Sequence, residues 1–247
     1  MRYKVLILAL LLTNSLLGGT IKVAVAANVS YAIEELKTVF EERNSNIKID
    51  VILGSSGKLT SQIRQGAPFA LFLSANMNYP QALYDEGKAT QKPVMYAQGV
   101  LAFLSNKKRN SCKEETVLND DDIKKIAISN PKTAPYGVAT VEALKNAKLY
   151  AKHKEKFVYG ESASQTVFYA TMAADIGIVA ASSLYSPQLA QYHEGIHWWE
   201  LDEELYTPIS QGMVMIGENK DAKVFYDFIL SLEAKNIFKK YGYKVEE

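Results

Sequence analysis

The chain has 247 residues, of which 48% are hydrophobic and 22% charged, and its formal net charge is +1. This is globular composition, with enough length for one large domain or for two lobes. Basic and acidic residues nearly balance, and no run of Lys and Arg of the kind that tracks phosphates occurs, which argues against nucleic acid as a partner. An anion bound by this chain must therefore be held by local groups.

The first residues have the pattern of a secretory signal peptide. Arg2 and Lys4 precede an apolar run over 5–12, and small residues follow at Gly18 and Gly19. The run is shorter than the about 20 apolar residues that cross a bilayer, so a signal peptide is favoured over a membrane anchor or a buried strand. We predict an exported protein with a signal peptide over 1–19.

Cys112 is the only cysteine of the chain. It has no partner for an internal disulfide, and it lies too far from the leader to carry a lipid anchor there. At this length a hydrophobic core can stabilise an exported domain without disulfides. The sequence leaves the role of Cys112 open.

Strands and helices alternate along the rest of the chain. Strands are predicted at 21–25, 47–53, 70–74, 100–104, 125–129, 157–159, 176–180, 196–199 and 212–216. Helices are predicted at 28–43, with Asn28 as the N-cap, and at 58–65, 79–85, 136–145, 164–173, 222–232 and 234–240. This alternation favours an α/β fold with parallel sheets covered by helices on both faces.

Two similar halves of this pattern predict two lobes. Lobe one is predicted to contain 20–101 and 212–247, and lobe two 102–211. In open α/β sheets, ligands bind beyond the carboxyl ends of the strands. The strand-to-helix turns of both lobes are therefore expected to face one ligand cleft.

Four of these turns are rich in small or hydroxyl-bearing residues. They lie at 26–28, 54–57, 130–137 and 161–165, two in each predicted lobe. Free backbone N–H groups at a helix start, together with hydroxyls, can hold an oxyanion without a charged side chain. Each turn alone is equally typical of an ordinary helix cap. Convergence of all four on one cleft predicts anion capture rather than catalysis.

The turns contain a single acidic residue, Glu161. Hydrogen phosphate carries a proton and needs an acceptor, whereas a fully deprotonated dianion accepts hydrogen bonds at every oxygen. Asn28, Ser56 and Tyr136 provide donors. Sulfate, molybdate and tungstate all suit such a site.

Several segments resemble the periplasmic molybdate/tungstate-binding proteins of ABC uptake systems. They are GSSG at 54–57 with GAP at 66–68, IAISNP at 126–131, APYG at 134–137 and GIVA at 177–180. The resemblance implies the type II periplasmic binding protein fold, with two Rossmann-like lobes that close on the ligand. It also implies a monomer in the periplasm that has no enzymatic activity and no cofactor, and an inner-membrane ABC permease as its partner.

The resemblance places the oxyanion contacts at Asn28 and Ser56 in lobe one and at Tyr136 and Ala163 in lobe two. Ala163 would act through its backbone N–H, and the metal would be bound only as its oxyanion. A shift of one residue in the alignment would replace Ala163 by Ser162.

The resemblance is incomplete at two positions of the site. Some family members have a tyrosine hydroxyl where Ala180 stands, and alanine cannot supply that bond. Ala27 likewise replaces a hydroxyl residue found in some members. The sequence does not decide between molybdate and tungstate.

Two other functions remain open. A sulfate or thiosulfate receptor would differ only in the size of its cavity. An exported enzyme would be a zinc hydrolase with His193 and His197 as ligands, or a serine hydrolase with Ser56 as nucleophile. The segment HEGIH matches the H-E-x-x-H pattern, but that pattern needs a continuous helix, and Gly195 interrupts one here.

Overall fold

The structure is a computed structural model that describes residues 19–109 and 117–246. The predicted signal peptide, apart from Gly19, lies outside the described residues, and so does Cys112. Within the described part of the chain, no helix is both long and apolar enough to cross a membrane.

Strands and helices alternate as predicted. The strands are β1 (Thr20–Ala26), β2 (Lys48–Gly54), β3 (Leu71–Leu73), β4 (Val94–Gly99), β5 (Leu101–Leu104), β6 (Ile126–Ser129), β7 (Phe157–Gly160), β8 (Ile176–Ala180), β9 (Trp198–Glu200) and β10 (Ile209–Met215). The α-helices are α1 (Ser30–Arg43), α2 (Ser56–Arg64), α3 (Asn78–Asp85), α4 (Pro135–Asn146), α5 (Tyr150–His153), α6 (Ala163–Met172), α7 (Lys220–Ile229) and α8 (Leu232–Lys240).

The strands form two five-stranded sheets, one in each lobe, with the orders β2-β1-β3-β10-β4 and β7-β6-β8-β5-β9. Both sheets are mixed rather than parallel. β10 runs antiparallel to β3 and β4, and β5 runs antiparallel to β8 and β9. These two strands are the ones that the chain enters directly after crossing from the other sheet, which explains their reversed direction.

One strand was not predicted. β4 and β5 follow each other with only Val100 between them, and they belong to different sheets. No Gly-Pro or Asn-Gly turn marks the junction, so the sequence predicts the single strand 100–104 where the structure has two. The chain changes sheet here and again between Glu200 and Ile209; the lobe limits at 101/102 and 211/212 stay a prediction.

Each lobe has its own hydrophobic core. In lobe one, α1, α7 and α8 cover one face of the sheet, where Phe40 and Phe225 meet at 4.8 Å between ring centroids. α2 and α3 cover the other face around the buried Phe72. In lobe two, α4 packs on one face of the sheet and α6 on the other. Helices thus cover both faces of each sheet, and one cluster of lobe two also contains Ala26 and Ala75 of lobe one.

Candidate functional site

All four predicted turns meet at one small cavity between the lobes. Its walls contain 26–28 and 54–56 from lobe one, 134–136 and Ala163 from lobe two, and Ala75, which follows β3. The cavity is small: the space open to the centre of a water-sized molecule is about 10 Å³. The structure thus brings together Asn28, Ser56, Tyr136 and Ala163, which are far apart in sequence, and adds Ala75, which was not predicted.

The residues that line this cavity carry no charge. Glu161, the only carboxylate of the four turns, lies outside the wall and pairs instead with Lys58, its Oε2 being 2.8 Å from Nζ. This ion pair lowers the pKa of the Glu161 carboxyl, chiefly through the hydrogen bond from Lys58. A ligand in the cavity therefore meets hydrogen-bonding groups and no formal charge.

Ser56 is the first residue of α2, which begins two residues earlier than predicted. Its buried Oγ accepts a hydrogen bond from the backbone N–H of Ala75 at 3.0 Å. A hydroxyl that accepts one bond keeps its proton for another acceptor, and the first N–H groups of a helix have no partner within it. Ser56 therefore has both a side-chain donor and a main-chain donor.

Asn28 does not cap α1, so that prediction was wrong. It lies in a single 3-10 turn, Ala27–Val29, and α1 begins at Ser30 without a side-chain cap. The amide is buried, and its Nδ2 donates to Gln211 Oε1 at 2.8 Å and to Tyr243 Oη at 3.1 Å. The side-chain amide thus donates to groups that are distant in sequence, and it does not cap the helix.

Tyr136 is the second residue of α4, after Pro135 at the first helical position. Burial is the main cause that raises the pKa of its phenol well above the usual value, so the hydroxyl stays protonated and can donate. The hydroxyl accepts a hydrogen bond from Gln211 Nε2 at 3.3 Å. It lies so close to Gly99 that a Cβ at that position would overlap it.

Ala163 is the first residue of α6 and lines the cavity, where its backbone N–H is the polar group it can offer. Ser162 is the N-cap of the same helix, and its Oγ accepts from Gln165 N at 3.3 Å. Of the two alternatives at this turn, Ala163 lines the cavity and Ser162 does not.

Sequence reasoning missed the buried polar residues behind the cavity. Gln211 Oε1 accepts from Tyr96 Oη at 2.9 Å, and Tyr243 Oη donates to the carbonyl of Asn28 at 2.8 Å. A glutamine inside the apolar strand ISQGMVM was a signal, because buried side-chain amides are found where they have partners. The predicted strand began at 212 and left Gln211 out.

The lobes touch each other beside the cavity. Gly57 N donates to the carbonyl of Thr133 at 2.9 Å, and Ser164 Oγ donates to the carbonyl of Ala27 at 2.9 Å. Together with the ion pair described above, these bonds join the turns of lobe one to those of lobe two. The structure therefore shows the two lobes in contact around the site.

The histidines of the HEGIH segment do not form a metal site. Gly195 has φ +72°, and the backbone N–H of His193 donates to His197 Nδ1 at 3.1 Å, so the segment is a turn rather than a helix. Within the described parts of the chain, no three His, Cys, Asp or Glu side chains are grouped to hold a metal ion. No histidine lines the cavity that contains Ser56.

Known proteins resemble this chain over nearly its whole length. It is 35% identical over 234 residues to the molybdate-binding protein ModA of Rhodobacter capsulatus, which covers 93% of this chain and 90% of the relative. It is 34% identical to the ModA of Azotobacter vinelandii, with 93% and 91% covered.

Solved structures show the same architecture. The periplasmic molybdate-binding protein of Azotobacter vinelandii superposes with a TM-score of 0.83 at 29% identity, covering 92% of this chain and 100% of that one. The sulfate-binding protein SubI of Mycobacterium tuberculosis H37Rv gives a TM-score of 0.73 at 12% identity, covering 92% and 87%, and shares the fold alone.

The family model of the bacterial extracellular solute-binding proteins matches residues 21–244. This match covers both lobes and all four turns of the cavity. The chain therefore belongs to the bacterial extracellular solute-binding proteins, which are receptors rather than enzymes.

Proposed function

We propose that this protein binds molybdate, and tungstate as its close analogue, and delivers it to an ABC permease of the inner membrane. The observation that carries the proposal is the uncharged cavity, in which hydroxyls and helix starts from both lobes converge on one point. The molybdate-binding names of its relatives support the choice of ligand.

The donors proposed for the oxyanion come from both lobes. Ser56 offers its hydroxyl and backbone N–H, Tyr136 its hydroxyl, and Ala163 and Asn28 their backbone N–H groups. Only the closed arrangement presents all of them together. The ligand therefore shifts the equilibrium towards the closed state by the difference between its binding free energies for the closed and the open states.

The absence of a carboxylate from the cavity wall supports a fully deprotonated dianion over hydrogen phosphate. A protonated ligand oxygen would need an acceptor, and an uncharged set of N–H and O–H donors suits four unprotonated oxygens better. Sulfate satisfies the same requirement but is smaller than molybdate, so selectivity between sulfate and molybdate must come from the fit to the cavity.

We further propose that the protein acts as a monomer in the periplasm after removal of a signal peptide over residues 1–19. The family description, which is of extracellular proteins, supports export. A receptor that meets its permease in the periplasm can pass on a captured ion without crossing a membrane itself.

A panel of oxyanions tests the function. We expect molybdate and tungstate to raise the Tm strongly, and sulfate and phosphate to raise it little. At a free ligand concentration of 100 times Kd the added free energy of unfolding is about 2.7 kcal/mol. Titration calorimetry with the same ions gives the affinities. Equal affinity for sulfate would contradict the assignment to molybdate and indicate a sulfate receptor. No response to any of the four ions would overturn the proposed function.

A further inference from the structure

We infer that Gln211 is a positioning residue of the anion site: it turns the hydroxyl proton of Tyr136 towards the ligand and holds Asn28 in place. The inference rests on the proposed function, because its effect is expressed through anion affinity. Gln211 is not in the cavity wall, so it acts through the two residues that are.

Gln211 lies where β10 returns to lobe one. Its side chain is fully buried, and the pairing of β10 with β4 is irregular between Gln211 and Gly212. Irregularities of this kind bend a strand and redirect its side chains, and they are frequent beside functional sites. Here the amide is aimed at the junction of the two lobes.

The hydrogen bonds of Gln211 fix the orientation of its amide. Oε1 accepts from Asn28 Nδ2 at 2.8 Å and from Tyr96 Oη at 2.9 Å, while Nε2 donates to Tyr136 Oη at 3.3 Å. A flipped amide would place its N–H groups against the N–H of Asn28. One side chain thus connects Asn28 of lobe one with Tyr136 of lobe two.

This orientation sets the direction in which Tyr136 donates. A phenol has one proton, and a hydroxyl that accepts a bond from Nε2 leaves that proton for another acceptor. Because Tyr136 lines the cavity, an oxygen of the bound anion is the acceptor it meets. Without the amide of Gln211, the proton could instead turn towards the interior.

The same residue explains how Asn28 takes part. Both hydrogens of its side-chain amide are engaged, one by Gln211 Oε1 and one by Tyr243 Oη. Its backbone carbonyl accepts from Tyr243 Oη and from Ser182 Oγ, the latter at 3.0 Å. Its backbone N–H is the donor that remains for the ligand. The side chain of Asn28 thus supports the geometry of its own main chain.

The substitution Gln211→Glu tests the inference through its pH profile. A protonated carboxyl has one O–H donor and one carbonyl acceptor, which are the two groups that the amide uses here. An ionised carboxylate only accepts, so it would accept a hydrogen bond from the Tyr136 hydroxyl and turn its proton away from the ligand. Burial raises the pKa of such a carboxyl, so the protonated form persists towards neutral pH.

We expect this variant to bind molybdate nearly as well as wild type at about pH 5.5, and about 10- to 100-fold more weakly at about pH 8. The titratable groups bonded to Gln211 are tyrosines with raised pKa values, so wild-type affinity should be flat over this range. Recovery at low pH also shows that the variant folds. A profile parallel to that of wild type would overturn the inference.

A double-mutant cycle separates positioning from the repulsion of an added charge. Gln211→Met carries no charge and should weaken molybdate binding about 10-fold in the wild-type background, but by clearly less when Tyr136→Phe is already present, because only the support of Asn28 is then lost. Gln98→Met, on the neighbouring strand opposite Ser210, is the matched control. An equal loss in both backgrounds would show that Gln211 is only structural, and unchanged affinity would also overturn the inference.

The two proposals fail in different ways. A wild-type protein that binds no oxyanion overturns the proposed function and this inference with it. A wild type that binds molybdate, with Gln211→Met of equal affinity, overturns the inference alone.

Discussion

Ser55 and Ser56 are adjacent in one turn, yet their hydroxyls have different surroundings. Ser56 Oγ accepts from the backbone N–H of Ala75, which fixes the oxygen and leaves the proton directed elsewhere. Ser55 Oγ is buried and has no hydrogen-bond partner among the residues that the structure describes. A fixed oxygen with a free proton is preorganised for an anion, so Ser56 is the residue whose loss should affect binding more.

We expect Ser56→Ala to weaken molybdate binding by about 1–3 kcal/mol, the cost of a lost hydrogen bond to a charged group. Ser61→Ala is the matched control, because Ser61 is an exposed serine of the same helix whose Oγ donates to the carbonyl of Gly57. Titration calorimetry of both variants measures the difference. If Ser56→Ala binds as tightly as Ser61→Ala, Ser56 is not a ligand contact.

At the level of single residues, local signals revealed the turns but not what stands behind them. Ser56 and Tyr136 lie in turns whose composition marks a helix start, and a sequence shows this directly. The bond from Asn28 to Gln211 joins residues 183 positions apart. No local pattern encodes such a contact, so the buried amide network required the structure.

At the level of elements, the start of α2 serves both the cavity and the contact between lobes. Its Gly57 N–H donates to the carbonyl of Thr133. A Cβ at Gly57 would lie 3.0 Å from that carbonyl oxygen, which is tighter than most real Cβ contacts, and 2.8 Å from Tyr79 Oη, which real Cβ atoms essentially never show. Glycine at this position therefore permits the approach of the third turn.

We expect Gly57→Ala to weaken molybdate binding while changing the stability of the ligand-free protein little, since the contact of the new Cβ with Tyr79 Oη offsets the helix preference of alanine. Alanine is favoured over glycine inside a helix by about 0.5–1 kcal/mol, but its Cβ opposes closure. Lys58→Gln is the comparison, since it removes only the exposed ion pair with Glu161, and exposed ion pairs contribute little to stability. Titration calorimetry measures the molybdate affinity, and the Tm of the ligand-free protein measures its stability. Undiminished affinity in Gly57→Ala would contradict this account of closure.

The element order was predictable because β-strands and helices carry periodic patterns of burial. The strand directions were not, because they depend on the crossings between sheets. The single residue Val100 separates β4 from β5, and this short link sends the chain into the second sheet. Parallel pairing, which alternation favours, was therefore correct for β1 with β2 and β3 and wrong for β5 and β10.

At the level of the whole molecule, the lobes share a buried polar cluster as well as a cavity. The hydroxyls of Tyr96, Tyr136 and Tyr243 gather around Gln211 and Asn28, drawing on β4, β10, α4, the 3-10 turn and the C-terminal segment. Burial raises the pKa of all three phenols, that of Tyr243 to about 12. The folded protein keeps these groups protonated at a pH where the unfolded chain would lose the protons.

This cluster predicts how stability depends on alkaline pH. A phenol with a raised pKa contributes fully below the unfolded value of about 10, and its contribution is lost as pH rises through the folded value. For Tyr243 the shift corresponds to about 2–3 kcal/mol. We therefore expect the free energy of unfolding to fall between about pH 10 and about pH 12, with phenolate absorbance of these tyrosines appearing only as the protein unfolds. Urea denaturation across this range measures the slope, and Tyr243→Phe should make it shallower than the surface control Tyr159→Phe does. An equal slope in both variants would mean that Tyr243 ionises within the folded protein.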